Sequence, residues 1–159
     1  MEVRNFIYVD TENVGCSFLD YVDKFEEHTE FKILNGGKLS EEYISQYFDT
    51  ARATFELVPV SVGTKNAMDF VLVECLTYTA LQNTIYSRHI ILSRDNGYMP
   101  AIEHLRSKGY DVTASKSIES AFDRLNHGLP KLIKAIADCG YKLNVDIKNN
   151  AVDVEKKIS

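Results

Sequence analysis

The chain has 159 residues, 45% hydrophobic and 11% aromatic, with a formal net charge of −5. That length and apolar content support one compact domain with a full core and argue against disorder, while no run approaches the roughly 18 apolar residues of a membrane span. Cys16, Cys75 and Cys139 are odd in number and lack CxxC spacing, which argues against a disulfide framework or a zinc knuckle and points to reduced thiols in a cytoplasmic protein without an export signal.

Val3 to Val9 reads as a buried strand, apolar at nearly every position. After the polar stop Asp10 to Asn13, residues 17–27 carry Phe18, Leu19, Val22 and Phe25 at helical spacing. Phe31 to Leu34 is a second strand, broken by Asn35-Gly36-Gly37, and Ser40 before Glu41-Glu42 starts a helix through Ala51. Thr54 to Val60 is a third strand. A longer helix follows from Lys65 or Asn66 to about Gln82, with Phe70, Val73, Leu76, Thr77 and Ala80 as its expected inward stripe. Arg88 to Leu92 is a fourth strand. The turn at Asn96-Gly97 leads into a helix through Ile102 and Leu105 that ends at Lys108-Gly109. Tyr110 to Ala114 is a fifth strand, and Ile118 to Leu125 a helix. Beyond Gly128-Leu129-Pro130, residues 130–138 suit one amphipathic helix. Leu143, Val145 and Ile147 suggest an edge strand, with a polar, mobile end to Ser159.

This alternation predicts an α/β fold: a Rossmann-like three-layer α/β/α domain with a mostly parallel sheet of about five strands. The expected division is a domain over residues 1–128, with a helix and tail over 129–159 packing on it or extending from it. Charge is uneven along the chain. Residues 1–80 hold 6 Lys/Arg against 14 Asp/Glu, and residues 81–159 hold 12 against 9, so a local basic surface can meet phosphate beside an acidic pocket.

Parallel sheets build their sites outside the carboxyl ends of strands. Three segments place acids there: Asp10 and Glu12 in FIYVDTEN, Asp69 in GTKNAMDF, and Asp95 in HIILSRDNGYMP. Converging carboxylates repel one another unless a cation joins them, and Mg²⁺ or Mn²⁺ suits oxygen ligands and phosphate-bearing substrates. Each acid also has a structural reading, as helix cap, dipole partner or turn former. Asn13 can add an amide oxygen, Lys65 shares a helix face with Asp69, Arg94 can meet a phosphate, and Ser93 or Asn96 can donate hydrogen bonds. Other chemistries fit less well: there is no GxxxxGK[ST] loop, no strand–helix GxGxxG and no GxSxG elbow. His28, His89, His104 and His127 lack metal-ligand spacing. Tyr98, beside the Asp95 turn, is a candidate base-stacking contact.

At these positions the chain resembles the PIN-like superfamily, in particular its NYN-type and related bacterial branches. The resemblance rests on the apolar strand before Asp10-Thr11-Glu12-Asn13, on Gly63 to Phe70, and on Ile90 to Pro100 leading into Ala101 to Gly109. It covers about residues 3–115. It implies an endoribonuclease that uses Mg²⁺ or Mn²⁺ and leaves a 5′-phosphate and a 3′-hydroxyl. Carried over by position, Asp10, Asp69 and Asp95 would ligate metal, with Glu12 or Asn13 in support; Lys65, Asn66 and Ser93 would stand behind the ligands or position phosphate. NYN-type sequences often carry a second Asp where this chain has Gly97. Glu74 is a poor replacement, because five residues turn a helix by about 500° away from Asp69. The expected partner is RNA, and a homodimer is plausible. The alternatives are a PIN-like module that binds RNA or protein without cleaving it, and a small-molecule phosphatase on the same architecture.

Overall fold

The structure, a computed structural model, describes residues 3–61, 63–126, 136–146 and 151–157. The chain divides into two compact units, residues 1–121 and 122–159. The first holds five strands: β1 (Asn5–Asp10), β2 (Thr29–Asn35), β3 (Thr54–Pro59), β4 (Arg88–Leu92) and β5 (Asp111–Ser115). They pair in the order β3-β2-β1-β4-β5, and every pairing is parallel. The mostly parallel five-stranded sheet expected from the sequence is therefore wholly parallel. β1 is buried from Phe6 to Asp10, as befits a central strand covered on both faces.

One face of the sheet carries α3 (Ala67–Gln82) and α4 (Met99–Ser107). Phe6, Tyr8, Leu34 and Ile91 of the strands pack there with Met68, Leu72, Leu76, Ile102 and Leu105. The alternate residues point to the other face. There Phe31 meets Phe18, Phe25 and Phe48 at ring-centroid distances of 6.0, 5.2 and 5.6 Å, the first two from the segment after α1 (Thr11–Val14) and the last from α2 (Glu41–Phe48). α2 begins where the sequence signals it: Ser40 Oγ accepts from the Tyr43 N–H at 3.1 Å, with Glu41 and Glu42 favourable in the first turn. α5 (Ile118–Asn126) follows β5. Among the described residues no helix is long and apolar enough to cross a membrane.

Three expectations need correction. Residues 17–27 are not an α-helix; Ser17–Lys24 is a 3-10 helix that buries Phe18, Leu19 and Val22. Spacings of one, three and four residues serve a period of 3.0 as well as 3.6, and Cys16 supplies no side-chain cap. The inward stripe of α3 is only partly as expected: Leu76 and Ala80 are buried and Val73 packs partly buried on the core, but Phe70 is 73% exposed, and Met68, Leu72 and Thr79 are buried with them. The strand expected at Leu143 and Val145 is present as β6 (Tyr141–Asp146), but it has a partner of its own in the polar segment after it, where no strand was expected. β6 and β7 (Ala151–Lys156) form an antiparallel pair, Leu143 opposite Val154 and Val145 opposite Val152. Of the helix expected over 130–138, residues 136–138 are helical and the rest lies outside the described residues, as does Ile147.

Candidate active site

The strand order reverses direction between β1 and β4: β2 and β3 continue the sheet to one side, β5 to the other. A crevice at the carboxyl ends of the strands is the ligand site of open α/β sheets at such a switch. Val9 pairs with Leu92, so the next residues, Asp10 and Ser93, lie side by side. Ser93 Oγ donates to Asp10 Oδ2 at 2.8 Å and accepts from the Asp95 N–H at 3.1 Å. Asp10 Oδ1 accepts from the Asn13 N–H at 3.3 Å. Across the same gap the Arg94 N–H donates to Asn13 Oδ1 at 2.7 Å, tying the two strand-end loops together. The Thr11 hydroxyl donates to the Leu34 carbonyl and so fixes the start of α1 to the end of β2.

Asp10 is buried, 4% exposed. An ionised carboxylate there needs its hydrogen bonds, since an unsatisfied buried charge is expensive. It receives another donor from α4's side. The Tyr98 hydroxyl lies 3.0 Å from Asp10 Oδ2 and 2.9 Å from Asp69 Oδ1, linking the end of β1 to the first turn of α3. The Tyr98 phenol is held far above its ordinary pKa by burial first, then by the negative charges of Asp10 and Asp69, so it remains a donor. Its single hydrogen faces two carboxylate oxygens. Among the described residues the two carboxyl groups thus face hydroxyl and backbone N–H donors and no Lys or Arg side chain.

The remaining candidates are placed around this pair. Asp95 is exposed, and its Oδ1 accepts from the Gly97 N–H at 2.8 Å, closing its own turn. Glu12 is exposed, with Oε1 over the turn at Gly36, 3.9 Å from where a Cβ there would stand. Lys65, Asn66, Arg94 and Asn96 are all exposed. Asn66 precedes α3 in the left-handed region at φ 60°, one of the few non-glycine types that tolerates it. Asp69 in the first turn complements the positive end of α3. Among the described residues, no three His, Cys, Asp or Glu side chains stand close enough to hold one ion together. Two carboxyl groups with no cationic partner among the described residues, offering only oxygen ligands, nevertheless fit a hard cation, because Mg²⁺ keeps several waters and commonly takes one or two carboxylates plus substrate phosphate.

Tyr98 is the residue the sequence misplaced. It is 3% exposed, so its ring is not free to stack on a base. The signal was its position three residues after Asp95, where the turn entering α4 points back over the strand ends. His89 is a packing residue: it stacks on Phe6 at 5.2 Å and meets Tyr8 through Nδ1. The cavity of about 300 Å³ lined by Arg4, Glu30, Lys32 and Glu56 belongs to the opposite, amino ends of the strands.

Comparison with known proteins adds one assignment. Neither the curated proteins nor the solved structures give a match. A family model described as PIN domain matches residues 4–115, the segment that holds all five parallel strands, Asp10, Asp69 and Asp95. PIN domains are usually nucleases, typically act on RNA and generally use divalent metals such as Mg²⁺ or Mn²⁺. By that match, over most of its length, the chain belongs to the PIN domain family.

Proposed function

We propose that the protein is a metal-dependent endoribonuclease whose reaction centre is built on Asp10 and Asp69. The observation that carries this reading is the Ser93–Asp10–Tyr98–Asp69 constellation at the strand-order switch, a buried acid oriented by two hydroxyls and paired with a second acid. Asp10 and Asp69 would hold Mg²⁺ or Mn²⁺, while Asp95 and Glu12 stand exposed in the segments that follow β4 and β1. When bound, such an ion supplies a water of lowered pKa and charge stabilisation at the phosphoryl group. The chain's own residues do the rest. Ser93 and Tyr98 hold Asp10 in one rotamer; the amino end of α3 favours anionic groups; and exposed Lys65, Asn66, Arg94 and Asn96 are available to an RNA backbone. Arg94, fixed through its main chain to Asn13, suits a phosphate contact best because its guanidinium can bind bidentately.

A second reading, a PIN domain that binds RNA or a protein without cutting it, is favoured by one observation: Asp95 is turned into its own loop and Gly97 supplies no further acid. The test is incubation of end-labelled single-stranded RNA with Mn²⁺, Mg²⁺ or EDTA, using wild type and Asp10→Asn. Cleavage that needs metal and disappears in the variant supports the nuclease. A wild type that neither cuts varied RNA nor binds Mn²⁺ in calorimetry leaves the binding module.

A further inference from the structure

Asp10 and Asp69 come from different elements, and Ser93 and the Asn13 N–H restrain only the first. Two carboxylates brought together at low dielectric repel and tend to rotate apart. The group that spans them is the Tyr98 hydroxyl, 3.0 Å from one oxygen of Asp10 and 2.9 Å from one oxygen of Asp69. It occupies Asp10 Oδ2 and Asp69 Oδ1 and leaves Asp10 Oδ1, whose one hydrogen bond among the described residues is the 3.3 Å contact with the Asn13 N–H, and Asp69 Oδ2. We propose that Tyr98 is a positioning residue for the cation: its hydroxyl shares its one hydrogen between an oxygen of each carboxylate, holds the two side chains together and so leaves the other oxygen of each for a single hard divalent ion.

This deepens the metal-dependent reading and rests on it. Ring burial makes the clamp stiff, since the side chain is 3% exposed and packed with the α3–α4 core. The role suits tyrosine specifically. A phenylalanine fills the same space but leaves the two acids facing each other with no donor between them. Hydrogen-bond partners that orient metal ligands typically change metal affinity by about 10- to 100-fold when removed, and that is the expected effect here.

The experiment is a Mn²⁺ titration of wild type and Tyr98→Phe, read by calorimetry and by the EPR signal of free Mn²⁺, with circular dichroism to verify the fold. A Kd about 10- to 100-fold weaker in the folded variant supports the clamp. Equal or tighter binding by Tyr98→Phe overturns it, while wild-type binding leaves the nuclease reading standing. A wild type that binds no Mn²⁺ overturns the metal reading, and the clamp with it. A second readout does not depend on the variant folding. In wild type carrying 3-fluorotyrosine at its nine tyrosines, Mg²⁺ should shift one ¹⁹F resonance selectively, because the fluorine sits beside the clamping hydroxyl. No shift under saturating Mg²⁺ overturns the proposal.

Discussion

Acid should weaken this fold through one side chain well away from the acids. His89 is 1% exposed, stacked on Phe6 at 5.2 Å and beside Tyr8 at 6.0 Å. Its Nδ1 lies 2.8 Å from the Tyr8 hydroxyl, and its Nε2 has no partner among the described residues. Burial lowers its pKa from 6.5 to about 4. The folded state therefore binds fewer protons than the unfolded state between those values. The stability His89 contributes is present above pH 6.5 and is lost as pH falls toward 4. With one pKa unit equal to about 1.4 kcal/mol, the loss between pH 7 and pH 5 is about 2 kcal/mol, a large share of a domain stability of roughly 5–15 kcal/mol. Urea denaturation at pH 7 and pH 5 measures it. His89→Phe, which keeps an aromatic ring in the stack and removes the titrating group, should lose about 2 kcal/mol less than wild type over that interval. Equal pH dependence in the two proteins would show that His89 is not the acid-sensitive group and that the burial argument is wrong.

The packing of α3 separates two readings of its phase. Leu72→Ala should cost about 2–5 kcal/mol in denaturant, because Leu72 is fully buried against the sheet, while Phe70→Ala should stay within about 0.5 kcal/mol because Phe70 is exposed; the opposite ranking would restore the stripe read from sequence. At Gly97 an added Cβ would stand 3.2 Å from Asp95 Oδ1, so Gly97→Ala should displace that exposed carboxylate by a few tenths of an ångström and destabilise by no more than about 1 kcal/mol, the worth of its hydrogen bond to the Gly97 N–H. A loss well above that would show that the turn cannot yield.

The five strands were legible because strands buried on both faces read as short, nearly continuous apolar runs between turn residues, and Phe6 to Val9 or Ile90 to Leu92 could be little else. Helix phase was only partly legible in α3, where Leu76 and Ala80 were placed inward correctly and Phe70 was not. From Ala67 to Gln82 the segment has no Lys or Arg and only two acids, Asp69 and Glu74, so hydrophobic periodicity gives no polar side to orient it, and Phe70, Tyr78 and Leu81 could be assigned inward while the structure exposes them. Of the terminal strand pair, β6 was legible from Leu143 and Val145, and β7 was missed for the reverse reason: charges at Asp153 and Glu155 masked the alternation of Val152 and Val154.

The candidate site was legible as a set of residue types and not as an arrangement, and strand order is the reason. Nothing local in FIYVDTEN or HIILSRDNGYMP says that β1 pairs with β4 and not only with β2. Once Val9 stands beside Leu92, the rest follows by register: Ser93 falls next to Asp10, its hydroxyl becomes the donor to Oδ2, and the turn after Asp95 brings Tyr98 back over both. Asp69 joins only because the crossover from β3 lays α3 on the same face as α4. Tyr98 looked like a substrate contact because an aromatic residue beside a strand-end turn is exposed in most local geometries. Here the sheet order closes the crevice around it and turns an aromatic surface into a hydroxyl donor between two carboxylates.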